Sequence, residues 1–217
     1  MIRIRRAFTL VELLVVISIV AILASLVMPS LHLAHSYALR TRCASHLKNI
    51  DEGLVVYAQD NDNILPGLPN PQYHNPSGIW FTYETLIAPY LGFSADPSDK
   101  TTQAYFTCPL DHMLAPAYPS YVFNGGNQYD AKFPGLAGRS LITVAQPTKT
   151  ILVAEGSAVF PFSWHAPQGA GSAPFNNARN LAAFIDGHVD FIPFYSGGGM
   201  SASNNPPSGY DYKWSAD

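Results

Sequence analysis

Few residues in this chain have the type and spacing to do chemistry. The most conspicuous is Glu12, the single carboxylate in an apolar run that starts at Ala7-Phe8 and carries no charge from Leu13 to Leu39. A carboxylate at the edge of hydrocarbon is costly. The cost is roughly 2.5–3.5 kcal/mol for an Asp at the centre of a membrane helix and less near the interface. Two compensations fit the residues. Thr9 and Glu12 have the S/T-x-x-E spacing of a capping box, which satisfies free N–H groups at a helix start. A partner cation, such as the amine of a newly cut N-terminus, would serve equally.

The remaining candidates are sparser. Cys43 and Cys108 can form a disulfide in an oxidising compartment, closing a long loop for about 2–4 kcal/mol; two reduced, buried cysteines are the alternative. A zinc site needs more ligands than this pair offers. Asp186, His188 and Asp190, with His165 upstream, are the one tempting cluster. On a strand His188 and Asp190 share a face, so with Asp186 they form a candidate divalent site, calcium included. The plainer reading makes Asp186 a turn residue and His188 and Asp190 a solvent face opposite Val189 and Phe191. His32 and His35 lie one turn apart beyond Pro29, where a helix would leave lipid. The chain has no G-x-S-x-G, no Cys/His pair with a local signature and no Gly-rich phosphate loop before a helix. The expectation is a protein that is not an enzyme and carries no cofactor.

The elements that would position these residues follow from patterning. Arg3, Arg5 and Arg6 precede the apolar run, which is longer than the ~20 residues that span a bilayer. The positive-inside bias puts the N-terminus in the cytoplasm and the rest outside. An ordinary secretory signal would have a shorter apolar core and a small-x-small cleavage site. A plain signal anchor explains the length and the arginines but not Phe8-Thr9-Leu10-Val11-Glu12. Past the run, Cys43, Leu47, Ile50, Leu54 and Tyr57 make one apolar helical stripe, with Arg40, Arg42, Lys48, Asp51 and Glu52 off it and expected to face solvent or the groups flanking the stripe. One helix of about 50 residues is expected, ending near Gln59 at Asp60-Asn61-Asp62-Asn63.

Downstream, a short helix is expected at Thr82–Leu91, stopped by Gly92. Strands are expected at Ser120–Phe123, Leu141–Ala145 and Thr150–Glu155. Leu181–Ile185 and His188–Phe191 flank Asp186-Gly187, the signal of a hairpin with a type I′ turn. From Ser196 the Gly/Ser/Asn/Pro-rich tail reads as an irregular or flexible surface loop. Only 12% of the 217 residues are charged and the formal charge is −3, which becomes −6 without the three leader arginines. That balance argues against nucleic acid as a partner. Trp80, Trp164, Trp214, Tyr210 and Tyr212 are either core or a face for glycan or protein.

The stretch Ala7-Phe8-Thr9-Leu10-Val11-Glu12-Leu13-Leu14-Val15-Val16-Ile17 resembles the class III signal of type IV pilins and of the pseudopilins of type II secretion. The resemblance implies cleavage between Ala7 and Phe8 by a prepilin peptidase and N-methylation of Phe8. It implies assembly with copies of itself and other pilins in the inner membrane, Glu12 pairing with a neighbour's N-terminal amine and Pro29 kinking the helix. Ala7 stands where the family usually has Gly. Some pseudopilins hold calcium in a C-terminal loop; here Asp211, Asp217 and Asn204-Asn205 would supply the oxygens.

A second resemblance spans nearly the whole chain. Cys43-Ala44-Ser45-His46-Leu47-Lys48-Asn49-Ile50, Tyr57-Ala58-Gln59-Asp60-Asn61-Asp62, Phe106-Thr107-Cys108-Pro109, Pro147–Glu155 and Phe184-Ile185-Asp186-Gly187-His188-Val189 are similar to pilin-like proteins abundant in planctomycetes. That group is named for a His, nine residues, then Asp-Gly. The Asp186-Gly187 pair is present, but Asn176 occupies the His position and the nearest preceding His is His165.

The resulting expectation is an α+β, pilin-like fold. One long N-terminal helix, its first half transmembrane, packs on a small antiparallel sheet with long irregular loops. Residues 1–7 are the leader, 8–39 the transmembrane and assembly half of the helix, and 40–217 the head. The expected function is a filament subunit; the alternative is a monomeric, membrane-anchored extracytoplasmic binding protein.

Overall fold

The computed structural model describes residues 9–67, 78–111, 118–128, 132–168, 174–197 and 200–217. Helix α1 runs from Leu10 to Asp60 and continues through Pro29. It ends where the chain supplies short polar side chains that tolerate left-handed backbone: Asp62 and Asn63 have φ of 54° and 61°. The chain divides into two compact units, Met1–Arg40 and Thr41–Asp217.

In the second unit the helical stripe is buried. Cys43, Leu47, Ile50, Leu54 and Ala58 have no exposed surface. Tyr57 is only half-buried and meets the Tyr90 ring edge-on at 5.9 Å. Gly53 lets Leu91 sit against the helix, since a Cβ there would lie 3.1 Å from the leucine side chain. Asp51 corrects the expectation of an exposed polar flank, because it is 1% exposed.

The stripe shares one core with a four-stranded antiparallel sheet, β1 (Tyr121–Phe123), β2 (Ile151–Glu155), β3 (Ala178–Phe184) and β4 (Val189–Phe194), in that spatial order. Every residue of β2 is buried, so both faces of the sheet are covered there. Its Val153 pairs with Phe123 on one side and Ala183 on the other. The fold is thus α+β, with one long N-terminal helix, a small antiparallel sheet and long irregular connections.

Several local expectations are corrected. Leu141–Ala145 is not a strand; Leu141–Thr143 is a 3₁₀ turn in which Thr143 Oγ1 donates to the Ser140 carbonyl at 2.7 Å, a side-chain bond that competes with a ladder. The 82–91 helix is three pieces: α2 (Gly78–Thr82), α3 (Glu84–Ile87) and a 3₁₀ turn, Ala88–Leu91, containing Pro89. Gly92 closes it with φ 78°. Two helices carried no clear periodic signal: α4 (Lys100–Tyr105), capped by Asp99 Oδ1 on the Thr101 and Thr102 amides, and α5 (Gly156–Val159). The hairpin between β3 and β4 is longer than expected and its turn is not type I′. That turn needs positive φ at both central residues, whereas here only Gly187 has it, at 89°. Gly187 N–H donates to Phe184 O and Phe184 N–H to His188 O, which makes a three-residue loop.

The tail is irregular and its 204–211 stretch is largely exposed, as expected, but its last residues return to the core. Trp214 is 1% exposed, Tyr212 is 2% exposed, and Thr150 and Lys213 form a parallel bridge. Asn124 Nδ2 donates to both Ile151 O (2.7 Å) and Trp214 O (2.8 Å), joining strand and tail.

Candidate functional site

The apolar half of α1 is the first candidate. Thr9 and Glu12 form a reciprocal cap: Thr9 N–H donates to Glu12 Oε2 at 2.9 Å and Glu12 N–H to Thr9 Oγ1 at 3.2 Å. Two free amides of the helix start are thereby satisfied within the chain. From Leu10 to Leu33 the large apolar side chains are about half exposed or more on every side, among them Leu10, Leu14, Ile17, Leu23, Leu26 and Leu33. The helix is long and apolar enough to cross a membrane. Three of its hydroxyls are satisfied within the helix, as a nonpolar surrounding would require: Ser18 donates to Leu14 O, Ser25 to Ile22 O and Ser30 to Val27 O. Pro29 has no N–H, so the helix forgoes one bond there. The cleavage residues Ala7 and Phe8 lie outside the described residues, as does the side chain of His32; His35 is exposed.

A second arrangement joins α1 to the hairpin tip. Lys48 Nζ donates to Gly187 O at 2.8 Å and also meets Glu52 at 3.1 Å. Neither oxygen of buried Asp51 has a hydrogen-bond partner among the described residues. Burial pushes its carboxyl up to about 7, opposed by the Lys48 ammonium and reinforced by the nearby carboxylates of Glu52 and Asp186. The Asp186-Gly187 pair is thus the point where the sheet meets the helix. Of the calcium candidates, Asp186 and His188 come together, with Nδ1 to Oδ1 at 2.5 Å and His188 stacked on Phe184 at 4.2 Å. Asp190 does not join them; its Oδ1 accepts from the Phe191 amide at 2.7 Å. All three are exposed.

A third arrangement was invisible in the sequence. Glu155 ends β2 and is fully buried. Its Oε1 meets His165 Nε2 at 2.7 Å and its Oε2 accepts from Leu181 N–H at 2.9 Å. Beside this pair lie Cys43 and Cys108, whose sulfurs are joined across a Cα–Cα distance of 5.6 Å. The available hint was a carboxylate closing a strand otherwise made of Ile, Leu, Val and Ala, since a buried acid demands a partner. Asn176 accepts from Ser196 N–H and Tyr210 O–H, each at 3.1 Å.

The remaining candidates have local structural partners. Asp211 pairs with Lys149 at 2.5 Å, Lys213 Nζ donates to the Asp217 carbonyl, and Asn205 Oδ1 accepts from the Trp214 and Ser215 amides. Trp80, Tyr212 and Trp214 are buried, and Trp164 and Tyr210 pack against the core. Core, not an aromatic binding face, is what these five residues form.

Comparison with known protein families matches residues 2–28 to the prokaryotic N-terminal methylation motif. Comparisons with curated proteins and with solved structures return no match. The chain carries a prepilin-type N-terminal signal, placed on an apolar helix of membrane-spanning length.

Proposed function

We propose that this chain is a structural subunit of the pilin or pseudopilin class. In this reading α1 inserts into the cytoplasmic (inner) membrane with the N-terminus inside and the head outside. A prepilin peptidase cuts between Ala7 and Phe8, the new Phe8 amine is methylated, and the mature chain joins a type IV pilus-like or type II secretion filament with copies of itself and other pilins. The observation that carries the reading is the methylation motif at residues 2–28 leading into the Leu10–Leu33 stretch of α1, whose large apolar side chains are uncovered all round and whose single acid is Glu12. Such a surface is costly in water and needs lipid first and neighbouring helices later. Glu12 would pair with the Phe8 amine of an adjoining subunit, using acceptor capacity beyond the one oxygen that caps Thr9. Pro29 would let the helix bend along the filament. Membership of the planctomycete-type pilin group is supported by the Cys43, Cys108 and Asp186-Gly187 segments.

Intact-mass analysis of the membrane form tests the first step. The expected species begins at N-methylated Phe8; a chain that retains Met1 and the arginines under co-expression with a prepilin peptidase overturns it. Glu12→Ala separates filament subunit from tethered binding protein. Assembly is lost with membrane insertion intact in the first case. Binding to a ligand survives Glu12→Ala in the second case.

A further inference from the structure

We propose that the head, in its dithiol state, binds one zinc-class divalent ion through Cys43, Cys108, Glu155 and His165. The inference rests on the head alone and is independent of the filament reading. The two sulfurs, a Glu155 carboxylate oxygen and a His165 ring nitrogen all lie within 4.8 Å of one another. They come from four separated segments: α1, the loop after α4, the end of β2 and the loop before β3. No short motif could have announced them together.

The donor set has the composition of a closed zinc site. Two thiolates, an imidazole and a carboxylate make four ligands of the types zinc prefers, at metal–ligand distances of about 2.0–2.3 Å. All four side chains are buried: Cys43 is 0% exposed, Cys108 1%, and the Glu155 and His165 side chains 0% and 1%. The surroundings favour ligation over an ordinary buried ion pair. Leu181 N–H fixes one Glu155 oxygen, leaving the other directed at the cluster. His165 Nδ1 is buried with no hydrogen-bond partner among the described residues. The Tyr121 hydroxyl is likewise buried without a partner, and Tyr121 interacts electrostatically with Glu155. A hydroxyl in that position is the kind of outer group that can orient a metal ligand. Three anionic ligands and a neutral imidazole around a divalent cation leave one net negative charge, the same as two thiols, one carboxylate and a neutral imidazole carry without the ion, so metal loading adds no net charge to the buried cluster.

The bound state and the disulfide exclude each other, since both use the same sulfurs. Reduction by a dithiol transfers two electrons and two protons to the Cys43–Cys108 bond, giving two thiols and an oxidised reductant. Metal binding then displaces the two thiol protons to solvent, with no further redox change. The cross-link between α1 and the sheet is kept in either state, by sulfur in one and by the ion in the other.

The test uses the full chain in mild detergent. After reduction with a phosphine and stripping with a chelator, zinc is titrated against a chromophoric competitor and cobalt is added in parallel. The expected results are one zinc per chain, thiolate-to-cobalt charge-transfer bands of a tetrahedral site, and no binding after reoxidation. Glu155→Gln and His165→Asn should each weaken zinc at least 10-fold, the lower end of what even outer-shell changes cost. The cobalt spectrum of the unmutated chain needs no variant, so a misfolded mutant cannot decide the matter alone. The proposal fails if reduced wild-type protein binds no more zinc than Cys43→Ser/Cys108→Ser, if the cobalt spectrum lacks thiolate bands, or if the reduced chain unfolds whether or not zinc is present.

Discussion

Asp51→Asn should stabilise the head above neutral pH and leave it nearly unchanged in acid. The Asp51 side chain is buried with neither oxygen hydrogen-bonded among the described residues, and its carboxyl is held up to about 7. The groups facing it are Lys48 and Glu52 on its own helix and Asp186 and Gly187 on the hairpin tip. In the unfolded chain its value returns to near 3.8. Between those values the folded state holds a proton that the unfolded state has lost, so stability falls as pH rises from about 4 to about 7. At about 1.4 kcal/mol per pH unit the ceiling is about 4 kcal/mol, and relaxation around a partly hydrated site makes about 2 kcal/mol a working figure. Asn is isosteric and never ionises, so the variant should gain that amount at pH 8 and almost nothing at pH 4. Trp80, Trp164 and Trp214 all lie in the head, so their fluorescence during denaturation of the full chain in detergent reports that unit. Glu84 is also pushed up to about 7 by burial, so the wild-type profile alone would mix two groups. The difference between wild type and Asp51→Asn isolates one. A constant difference from pH 4 to pH 8, or a loss at pH 8, would refute the reasoning.

Gly187→Ala should destabilise the head by about 1–2 kcal/mol, because the backbone there is left-handed and the new Cβ would lie 3.1 Å from Lys48 Nζ; chemical denaturation measures it. Asn124→Ala strips the donors from two buried carbonyls, Ile151 O and Trp214 O, and should cost about 1–3 kcal/mol, with faster amide exchange in the 210–217 tail. Glu52→Ala, by contrast, removes an exposed helical ion pair with Lys48 and, at pH 5 or below where Asp51 is protonated, should change the unfolding midpoint within error. Thr9→Val removes the hydroxyl half of the reciprocal cap and should raise amide exchange over the first turn of α1 without affecting the head.

What the sequence conveyed was whatever period and turn chemistry encode. The 41–60 stripe, the stop at Asp60-Asn61-Asp62-Asn63 and the hairpin at Asp186-Gly187 could all be read because each is written in neighbouring residues. Asp51 was misassigned because its burial is caused by Gly187, which reaches the helix from 136 positions away. The tail looked soluble by composition, yet Trp214 is anchored by Asn124 across 90 residues. The 141–145 segment had strand-like residues but no neighbour to pair with in a named strand. The Glu155–His165 pair fell between these levels: both residues were visible, but their meeting depends on how the loop before β3 returns across β2.

Ser18, Ser25 and Ser30 of α1 each spend their proton on the carbonyl three or four residues back. From Leu13 to Leu31 the helix therefore offers an adjoining copy dispersion and shape but no committed directional donor. A filament of the kind proposed would have one latch per subunit, at Glu12, and a greased shaft beyond it. Under load it should stretch by sliding before it snaps, with the latch spacing setting the step.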